Sequence, residues 1–178
     1  MEKEKINFIH GCMFAGKSKT IIENIDLKKP YIAIKPAIHT RDGEFIKSRV
    51  LKEKIPCILT DDPRILTKVD TEQYIIDEYQ FFNPEMLQDT LVDLKKKNKT
   101  VLIAGLDKLD TGRYWNNFEM VKKLSDRLIK LKADCDYCKK KNSAEFSICE
   151  KLKQANVDIN AVYHPACPEC FTQYGGKK

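Results

Sequence analysis

The sequence of 178 residues contains no apolar run approaching the ~20 residues that cross a bilayer, and glycine and proline occur only seven times each. The missing apolar run argues against a membrane-spanning helix, so we expect no membrane partner. The scarcity of glycine and proline excludes a collagen-like chain and argues against wholesale disorder. The opening MEKEKINFIHG lacks a small-residue cleavage site after its short apolar stretch, so we expect no signal peptide and a cytoplasmic location.

The composition fits one main domain with a small appendage, since 42% of the residues are hydrophobic and 33% are charged. Lysine and arginine total 32 against 26 acidic residues, which gives a formal net charge of +6. This mild excess suits a small anionic ligand such as a nucleotide. It is too weak and too dispersed to indicate a nucleic-acid partner.

The seven cysteines are an odd number, and four of them form two C-x-x-C pairs, Cys135 with Cys138 and Cys167 with Cys170. Two such pairs supply four thiolates, an arrangement typical of a closed, tetrahedral, structural Zn²⁺ site. Redox-active pairs are the alternative interpretation, although a redox protein would need only one pair. Residues 139–166 would then form a loop pinned at both ends by one metal, which suits a lid over a ligand.

Short apolar runs alternate with helix-like stretches through the first 132 residues. This alternation predicts an α/β fold around a mostly parallel sheet, because nearly continuous apolar runs suit strands buried on both faces. From residue 133 the periodicity fades, so we expect a main domain at 1–132, a small metal-stapled module at 133–174 and a tail at 175–178. The predicted strands are 6–10, 31–35, 55–59, 74–77 and 100–106, and the predicted helices include 18–28 and 83–98.

An eight-residue motif, GCMFAGKS, joins the first strand to the first helix at residues 11–18. It matches G-x-x-x-x-G-K-[ST], in which glycines let successive backbone amides face one concavity and bind phosphate oxygens. Lys17 would neutralise the terminal phosphates, and Ser18 would offer its hydroxyl to Mg²⁺. Cys12, inside the same loop, is a candidate reactive thiol. The residues expected to contact the nucleotide are Gly11, Met13, Ala15, Gly16, Lys17, Ser18 and Lys19.

Two acids, Asp77 and Glu78, follow the apolar run at 74–76. A phosphate loop needs a metal-holding acid at the end of a neighbouring strand, and Asp77 fits that role directly or through water. Glu78, one residue on, points elsewhere. It is free to take a proton from an attacking hydroxyl or to orient a water.

The motifs, their order and their spacing resemble the zinc-containing thymidine kinases of bacteria, animals and large DNA viruses. The resemblance runs from Gly11 to Phe171, and its most distinctive element is the D-E-x-Q-F-F run, here DEYQFF. The matching blocks are GCMFAGKS at 11–18, KPAIHTR at 35–41, SR at 48–49, IIDEYQFF at 75–82, AGLD at 104–107, KLKADCDYC at 130–138 and YHPACPEC at 163–170.

The resemblance implies a RecA-like phosphate-loop fold that transfers the γ-phosphate of ATP to the 5′-hydroxyl of a deoxynucleoside, with Mg²⁺ and a structural Zn²⁺. By position, Glu78 would be the general base, and Lys17 and Arg41 would handle the phosphates. The segment between the cysteine pairs would be a lasso whose backbone holds the base, and the protein would form a homotetramer. The positions expected at the nucleoside are Met13, Phe81 or Phe82, Leu106, Asp110, Trp115, Glu145 and Tyr163.

Several residues depart from the family's pattern, and they cluster on the base side of the site. Asp110 stands where an aromatic ring usually packs on the base, and Glu145 stands where the lasso commonly has threonine. Two interpretations follow: the protein prefers a base with an amino or hydroxymethyl group, or these positions have drifted because the lasso grips the base through its backbone. The other departures are His39 for aspartate, Trp115 for phenylalanine, Asp158-Ile159 for a glycine pair and Pro168 for arginine.

Two further classes of function are open at this point. A catalytically silent nucleotide-binding homologue would explain the departures, although Lys17, Ser18, Asp77 and Glu78 are all intact. A zinc-ribbon ATPase acting on nucleic acid would use the lysines near Cys138. The chain lacks the interleaved aromatic and basic residues typical of single-strand binding, however.

Overall fold

The computed structural model describes residues 5–39, 42–48, 50–150 and 161–175. Its strands are β1 (Ile6–Gly11), β2 (Tyr31–Lys35), β3 (Phe45–Lys47), β4 (Lys54–Pro56), β5 (Ile58–Leu59), β6 (Gln73–Ile76), β7 (Thr100–Leu106), β8 (Arg127–Leu131), β9 (Phe146–Cys149) and β10 (Tyr163–Ala166). Its α-helices are α1 (Lys17–Asn24), α2 (Pro84–Lys96), α3 (Phe118–Leu124) and the short α4 (Pro168–Cys170). Helical turns that are not α-helical span Pro63–Lys68, Tyr79–Phe81 and Phe171–Gly175.

Six strands form one central sheet in the order β5-β2-β6-β7-β1-β8, and every pairing in it is parallel. Two antiparallel pairs, β3–β4 and β9–β10, lie outside this sheet. The predicted α/β class with a mostly parallel sheet is confirmed. Because the strands are parallel, all their carboxyl ends meet at one edge, where ligands bind in folds of this kind. Among the residues that the structure places, no helix is long and apolar enough to cross a membrane.

The sheet is covered on both faces because successive strand side chains point in opposite directions. On β7, Val101 and Ile103 belong to the core beneath α2 and α3, whereas Leu102 and Ala104 belong to the core beneath α1. Each fully buried aliphatic side chain contributes about 1.5–3 kcal/mol relative to exposure. This double burial explains why β6 and β7 are nearly continuous apolar runs in the sequence.

Helix α2 begins where the sequence predicts, and it ends at Lys96, two residues before the end of the predicted segment 83–98. The Asn83 side chain accepts hydrogen bonds from the backbone amides of Glu85 (3.0 Å) and Met86 (3.1 Å), and Pro84 occupies the first helical position. Lys95 and Lys96 lie in the last turn, where a positive charge offsets the helix dipole.

The single strand predicted at 55–59 is wrong, because the chain divides there into β4 and β5. β4 pairs antiparallel with β3, whereas β5 joins the central sheet beside β2. The two strands meet at Cys57, whose amide donates to the Glu44 carbonyl (2.9 Å). The strand β8 was not predicted, because it is a largely exposed edge strand without an apolar run.

Candidate functional site

The phosphate loop leaves β1 at Gly11 and enters α1 at Lys17. Phe14 (φ 64°) and Gly16 (φ 86°) adopt left-handed backbone conformations, which turn the chain sharply. A side chain at Gly11 is excluded, since an added Cβ would lie 2.2 Å from the Leu131 carbonyl oxygen of the neighbouring β8. The glycines of the motif therefore serve loop shape and close strand packing.

Lys17 folds back over this loop. Its ammonium group donates to the carbonyl oxygens of Cys12 (2.8 Å) and Gly11 (3.3 Å). These two acceptors hold the charge at the mouth of the loop, beside the amino end of α1. A phosphate bound there would meet the ammonium group, loop amides and the positive helix end together.

The carboxyl end of β6 delivers the two acids. The Asp77 amide donates to the Ile34 carbonyl (3.0 Å), which fixes the acid beside β2, and its side chain is buried. Burial, and then the adjacent Glu78 carboxylate, raise the pKa of Asp77, whereas Lys17 and Lys35 act in the opposite direction. A buried carboxylate of this kind gains from a bound cation, and Mg²⁺ prefers such oxygen donors.

Glu78 has a left-handed backbone (φ 54°) that turns its side chain away from the strand. The Gln80 amide group donates to one carboxylate oxygen (2.6 Å), and His39 Nε2 lies 3.5 Å from the other. About 20% of the Glu78 side chain is exposed. The carboxylate is thus oriented by neighbours yet accessible to a ligand in the cavity.

Gln80 is in turn fixed by the end of β7. Its carbonyl oxygen accepts from the Leu106 amide (3.1 Å), and the Tyr79 hydroxyl donates to the Leu106 carbonyl (2.9 Å). Both side chains lie against Gly105, where an added Cβ would be 2.1 Å from Gln80 Oε1 and 2.5 Å from Tyr79 Cδ1. Glycine at 105 therefore lets Gln80 reach both β7 and Glu78.

We predict that Gly105→Ala destabilises the protein by about 1–3 kcal/mol, because the methyl group overpacks a buried site, and that it also lowers turnover by displacing Gln80 and Glu78. Chemical denaturation measures the first effect, and steady-state kinetics the second. Gly43→Ala is the comparison, since its Cβ would meet open space and only its left-handed φ of 56° is unfavourable. A Gly105→Ala protein as stable and active as Gly43→Ala would contradict the packing argument.

A cavity of about 580 Å³ opens between the phosphate loop, the end of β6 and the segment before β10. It contains nine of the residues that the sequence predicts at the site: Met13, Gly16, Lys17, Ser18, Lys19, Glu78, Phe81, Leu106 and Tyr163. It also contains residues that the sequence analysis did not assign to the site: Phe14, His39, Asp42, Lys47, Ser48, Val50, Ala161 and Val162. Of these, Phe14, His39 and Ser48 lay in blocks that carry the family resemblance. The others come to the cavity through tertiary folding and had no local signal.

Six other predicted residues within the described part of the chain do not line this cavity. Gly11 and Ala15 belong to the loop, and Asp77 follows β6, but none of the three is among the lining residues. Trp115 packs edge-on against the cavity residue Phe81, with ring centroids 5.5 Å apart. Asp110 lies in the turn between β7 and α3. Arg41 and Asp158-Ile159 lie outside the described residues.

Glu145 is the last of the six predicted residues that do not line the cavity. Two lysines hold its carboxylate. Its carboxylate lies 2.6 Å from Lys130 Nζ and 2.7 Å from Lys132 Nζ. Hydrogen bonds from Lys130 and then Lys132 lower the pKa of Glu145 to about 2. The acid that replaces the family's threonine is therefore satisfied by partners on and just beyond β8.

The four paired cysteines form one cluster, with all their Sγ atoms within 4.8 Å of one another. Four thiolates at about 2.3 Å from a tetrahedral Zn²⁺ would lie roughly 3.8 Å apart, and the Cys138 and Cys167 sulfurs are separated by 3.8 Å. The Cys167 amide also donates to the Cys135 sulfur (3.3 Å), as amides do around metal-bound thiolates. The cluster fits Zn²⁺. We call residues 133–150 and 161–171 the cysteine module.

Cys12 is not a reactive thiol by these criteria. It is buried, and its Sγ donates to the Ala144 carbonyl oxygen of the cysteine module (3.3 Å). Burial raises the pKa of the Cys12 thiol, so the nucleophilic thiolate is disfavoured.

His164 on β10 bridges two acids of the cysteine module. Its Nε2 lies 2.7 Å from Glu150 Oε1 and its Nδ1 lies 3.0 Å from Asp136 Oδ2. Hydrogen bonds to Glu150 and then Asp136 raise the pKa of His164 above its ordinary value of 6.5. A group whose pKa is raised in the folded state contributes to the free energy of unfolding. This contribution is fully present below pH 6.5 and is lost as the pH rises through the folded-state pKa.

We therefore predict that wild type is more thermostable than His164→Gln at about pH 6, and that this difference shrinks towards about pH 9. Thermal midpoints of both proteins across this range measure it. Metal binding would give the same pH dependence to both thermal midpoints. The difference between the two midpoints therefore removes it. A difference that is constant or grows with pH would contradict the protonated bridge.

The comparisons with known proteins agree with this arrangement. A family model described as "Thymidine kinase" matches residues 4–171. The protein named thymidine kinase from Coprothermobacter proteolyticus is 32% identical over 139 residues, covering 75% of this chain and 70% of that protein. The one from Mesoplasma florum is 30% identical over 191 aligned positions (93% and 90%), and the one from Metamycoplasma arthritidis is 28% identical over 178 (93% and 89%). The cysteine cluster is consistent with the zinc-containing type. The chain belongs to the thymidine kinase family.

Proposed function

We propose that the protein transfers the γ-phosphate of ATP to the 5′-hydroxyl of thymidine. The observation that carries the proposal is one shared cavity, lined on one side by Lys17 and Ser18 of the phosphate loop and on another by Glu78. A phosphate donor and a hydroxyl acceptor bound there would meet between a cation and a base. Phosphoryl transfer needs this alignment more than it needs covalent chemistry.

On the donor side, the loop amides and Lys17 bind the phosphates of ATP. Lys17 would exchange its two carbonyl acceptors for phosphate oxygens, and α1 would add its positive end. Ser18 and Asp77 would hold Mg²⁺, which supplies charge neutralisation at the phosphates. By the resemblance, Arg41 would add a further cation.

On the acceptor side, Glu78 receives the proton of the 5′-hydroxyl as that oxygen attacks phosphorus. A sugar hydroxyl has a high pKa, so its attack is assisted by a positioned base. Gln80 holds one carboxylate oxygen of Glu78 and leaves the other, near His39, facing the cavity.

The base side favours thymidine over an altered nucleoside. Met13, Phe81, Leu106 and Tyr163 present apolar and aromatic surface to the cavity, which suits a methylated pyrimidine. Glu145 is occupied by lysines and does not line the cavity, so it offers no acceptor for an amino group there. These contacts support the interpretation that the glutamate at position 145 arose by drift and does not alter the base preference.

The proposal extends to the whole protein. The cysteine module would bind a structural Zn²⁺ and carry the lasso over the nucleoside. Residues 1–132 would form the phosphate-loop domain and 133–174 the zinc-binding unit, followed by a tail. We propose further that the protein is a cytoplasmic homotetramer, as the family resemblance implies.

Incubating the purified protein with Mg²⁺, γ-labelled ATP and a panel of nucleosides tests this function. We expect labelled thymidine monophosphate as the main product. ATP binding without any product would instead support a silent homologue, and ATP hydrolysis stimulated by DNA would support a nucleic-acid ATPase. Preferred phosphorylation of deoxycytidine or a hydroxymethylated nucleoside would support an altered base preference.

A further inference from the structure

We infer that the cysteine module latches the phosphate loop through Ser147, so that metal binding and nucleotide binding strengthen each other. This inference rests on the proposed triphosphate site but assigns Ser147 a role that the proposed reaction does not require. Ser147 contacts the loop backbone rather than reacting atoms. It is therefore a positioning residue.

The main contact joins the middle of the loop to β9. The Met13 amide donates to the Ser147 hydroxyl oxygen at 2.9 Å, across 134 residues of sequence. Ser147 is only 6% exposed, so water does not readily replace this bond. With its amide committed to Ser147, Met13 fixes the backbone just before Phe14 and Gly16, the two left-handed residues that shape the phosphate cradle.

A second contact lies beside the first. The Cys12 thiol donates to the Ala144 carbonyl oxygen (3.3 Å), and both residues belong to a small buried cluster with Ala15 and Ala133. Ala133 in turn forms a β-bridge with Ala144. In this bridge the Ala144 amide donates to the Ala133 carbonyl oxygen (2.8 Å). Two consecutive loop residues are therefore held by one face of the cysteine module.

The latch is continuous with the metal ligands. Ala133 precedes the ligand Cys135 by two residues. Ser147 pairs with Pro165 in the β9–β10 ladder, and Pro165 precedes the ligand Cys167 by two residues. Zn²⁺ would tie these two segments together, because without it four clustered sulfurs lack a common partner. Loss of the metal would therefore loosen both contacts to the loop.

Thermodynamic linkage makes this coupling reciprocal. If Zn²⁺ orders the loop for nucleotide, then nucleotide must retain Zn²⁺ by the same factor. The wild-type protein alone provides the first test: the equilibrium distribution of Zn²⁺ between the protein and a competing chromogenic chelator, with and without a non-hydrolysable ATP analogue and Mg²⁺. We expect the analogue to raise the apparent Zn²⁺ affinity about tenfold, within the range typical of coupled sites.

Variants then assign the coupling to Ser147. In Ser147→Ala the Met13 amide loses its buried acceptor, so we expect the zinc-loaded variant to bind the analogue about tenfold more weakly, with most of the protection of zinc lost. Ser147→Thr keeps the hydroxyl and should restore both properties to within a few-fold of wild type. Ser143→Ala is the matched control, because its hydroxyl donates to the Lys140 carbonyl within the same module, away from the loop.

Several outcomes would overturn the inference. Full protection of zinc in Ser147→Ala would place the coupling elsewhere, and equal losses in Ser143→Ala would indicate general damage to the module. If wild type binds the analogue but its apparent Zn²⁺ affinity is unchanged, the latch fails while the proposed function stands. If wild type does not bind the analogue at all, both fail.

Discussion

Glu78→Gln is expected to lower kcat for thymidine by about 10²- to 10⁴-fold, the range contributed by a positioned general base. The amide cannot accept the 5′-hydroxyl proton, although its size is nearly unchanged. ATP affinity should change little, because Glu78 lines the side of the cavity that we propose for the acceptor. Steady-state kinetics and equilibrium binding of the ATP analogue measure the two effects.

The matched control for this loss is Glu72→Gln. Glu72 is an exposed acid that pairs with Lys29 (3.0 Å) at the opposite end of β6. Its replacement should leave kcat unchanged. A Glu78→Gln protein retaining more than about a tenth of wild-type kcat would show that another group takes the proton, and His39 would be the first candidate to examine because it lies 3.5 Å from the same carboxylate.

Cys135→Ser is expected to remove most of the bound zinc and to unfold the cysteine module. Binding of a structural Zn²⁺ contributes on the order of 10 kcal/mol, and a serine hydroxyl is a poor replacement for a thiolate ligand. Metal analysis after a brief exposure to chelator should find about one zinc per wild-type chain and almost none in the variant. The thermal midpoint should fall in parallel.

Cys57→Ala provides the comparison for the zinc experiment. Cys57 is buried outside the cluster, so its loss should reduce stability without reducing zinc content. If Cys135→Ser retained full zinc, the four-thiolate site would be wrong. A disulfide between members of the cluster in protein purified under reducing conditions would instead support the redox alternative.

The parts of the fold that the sequence predicted are those with local causes. The N-cap Asn83 and Pro84 mark the start of α2, and the glycines and Lys17 mark the loop, because each effect acts within a few residues. The apolar runs of β6 and β7 were equally clear, since strands buried on both faces carry few polar residues.

What the sequence could not predict depends on long-range contacts. The serine at 147 has no local signature, and only the fold brings its hydroxyl to the Met13 amide. The same holds for Lys130 and Lys132, which satisfy Glu145 from an edge strand that lacks an apolar run. Family resemblance placed Glu145 near the base by position alone and could not show that its charge was already paired.

The position of β1 between two later strands also has a consequence for how the chain is made. β1 is flanked by β7 and β8, so that Asn7 pairs with both Leu102 and Arg127. Contacts between such distant segments form slowly, because a long loop must close first. During synthesis, β1 must therefore wait until residue 131 has left the ribosome before both its neighbours exist. Until then the apolar side chains on both of its faces, including Phe8 and Ile9, are open to chaperones or to other nascent chains.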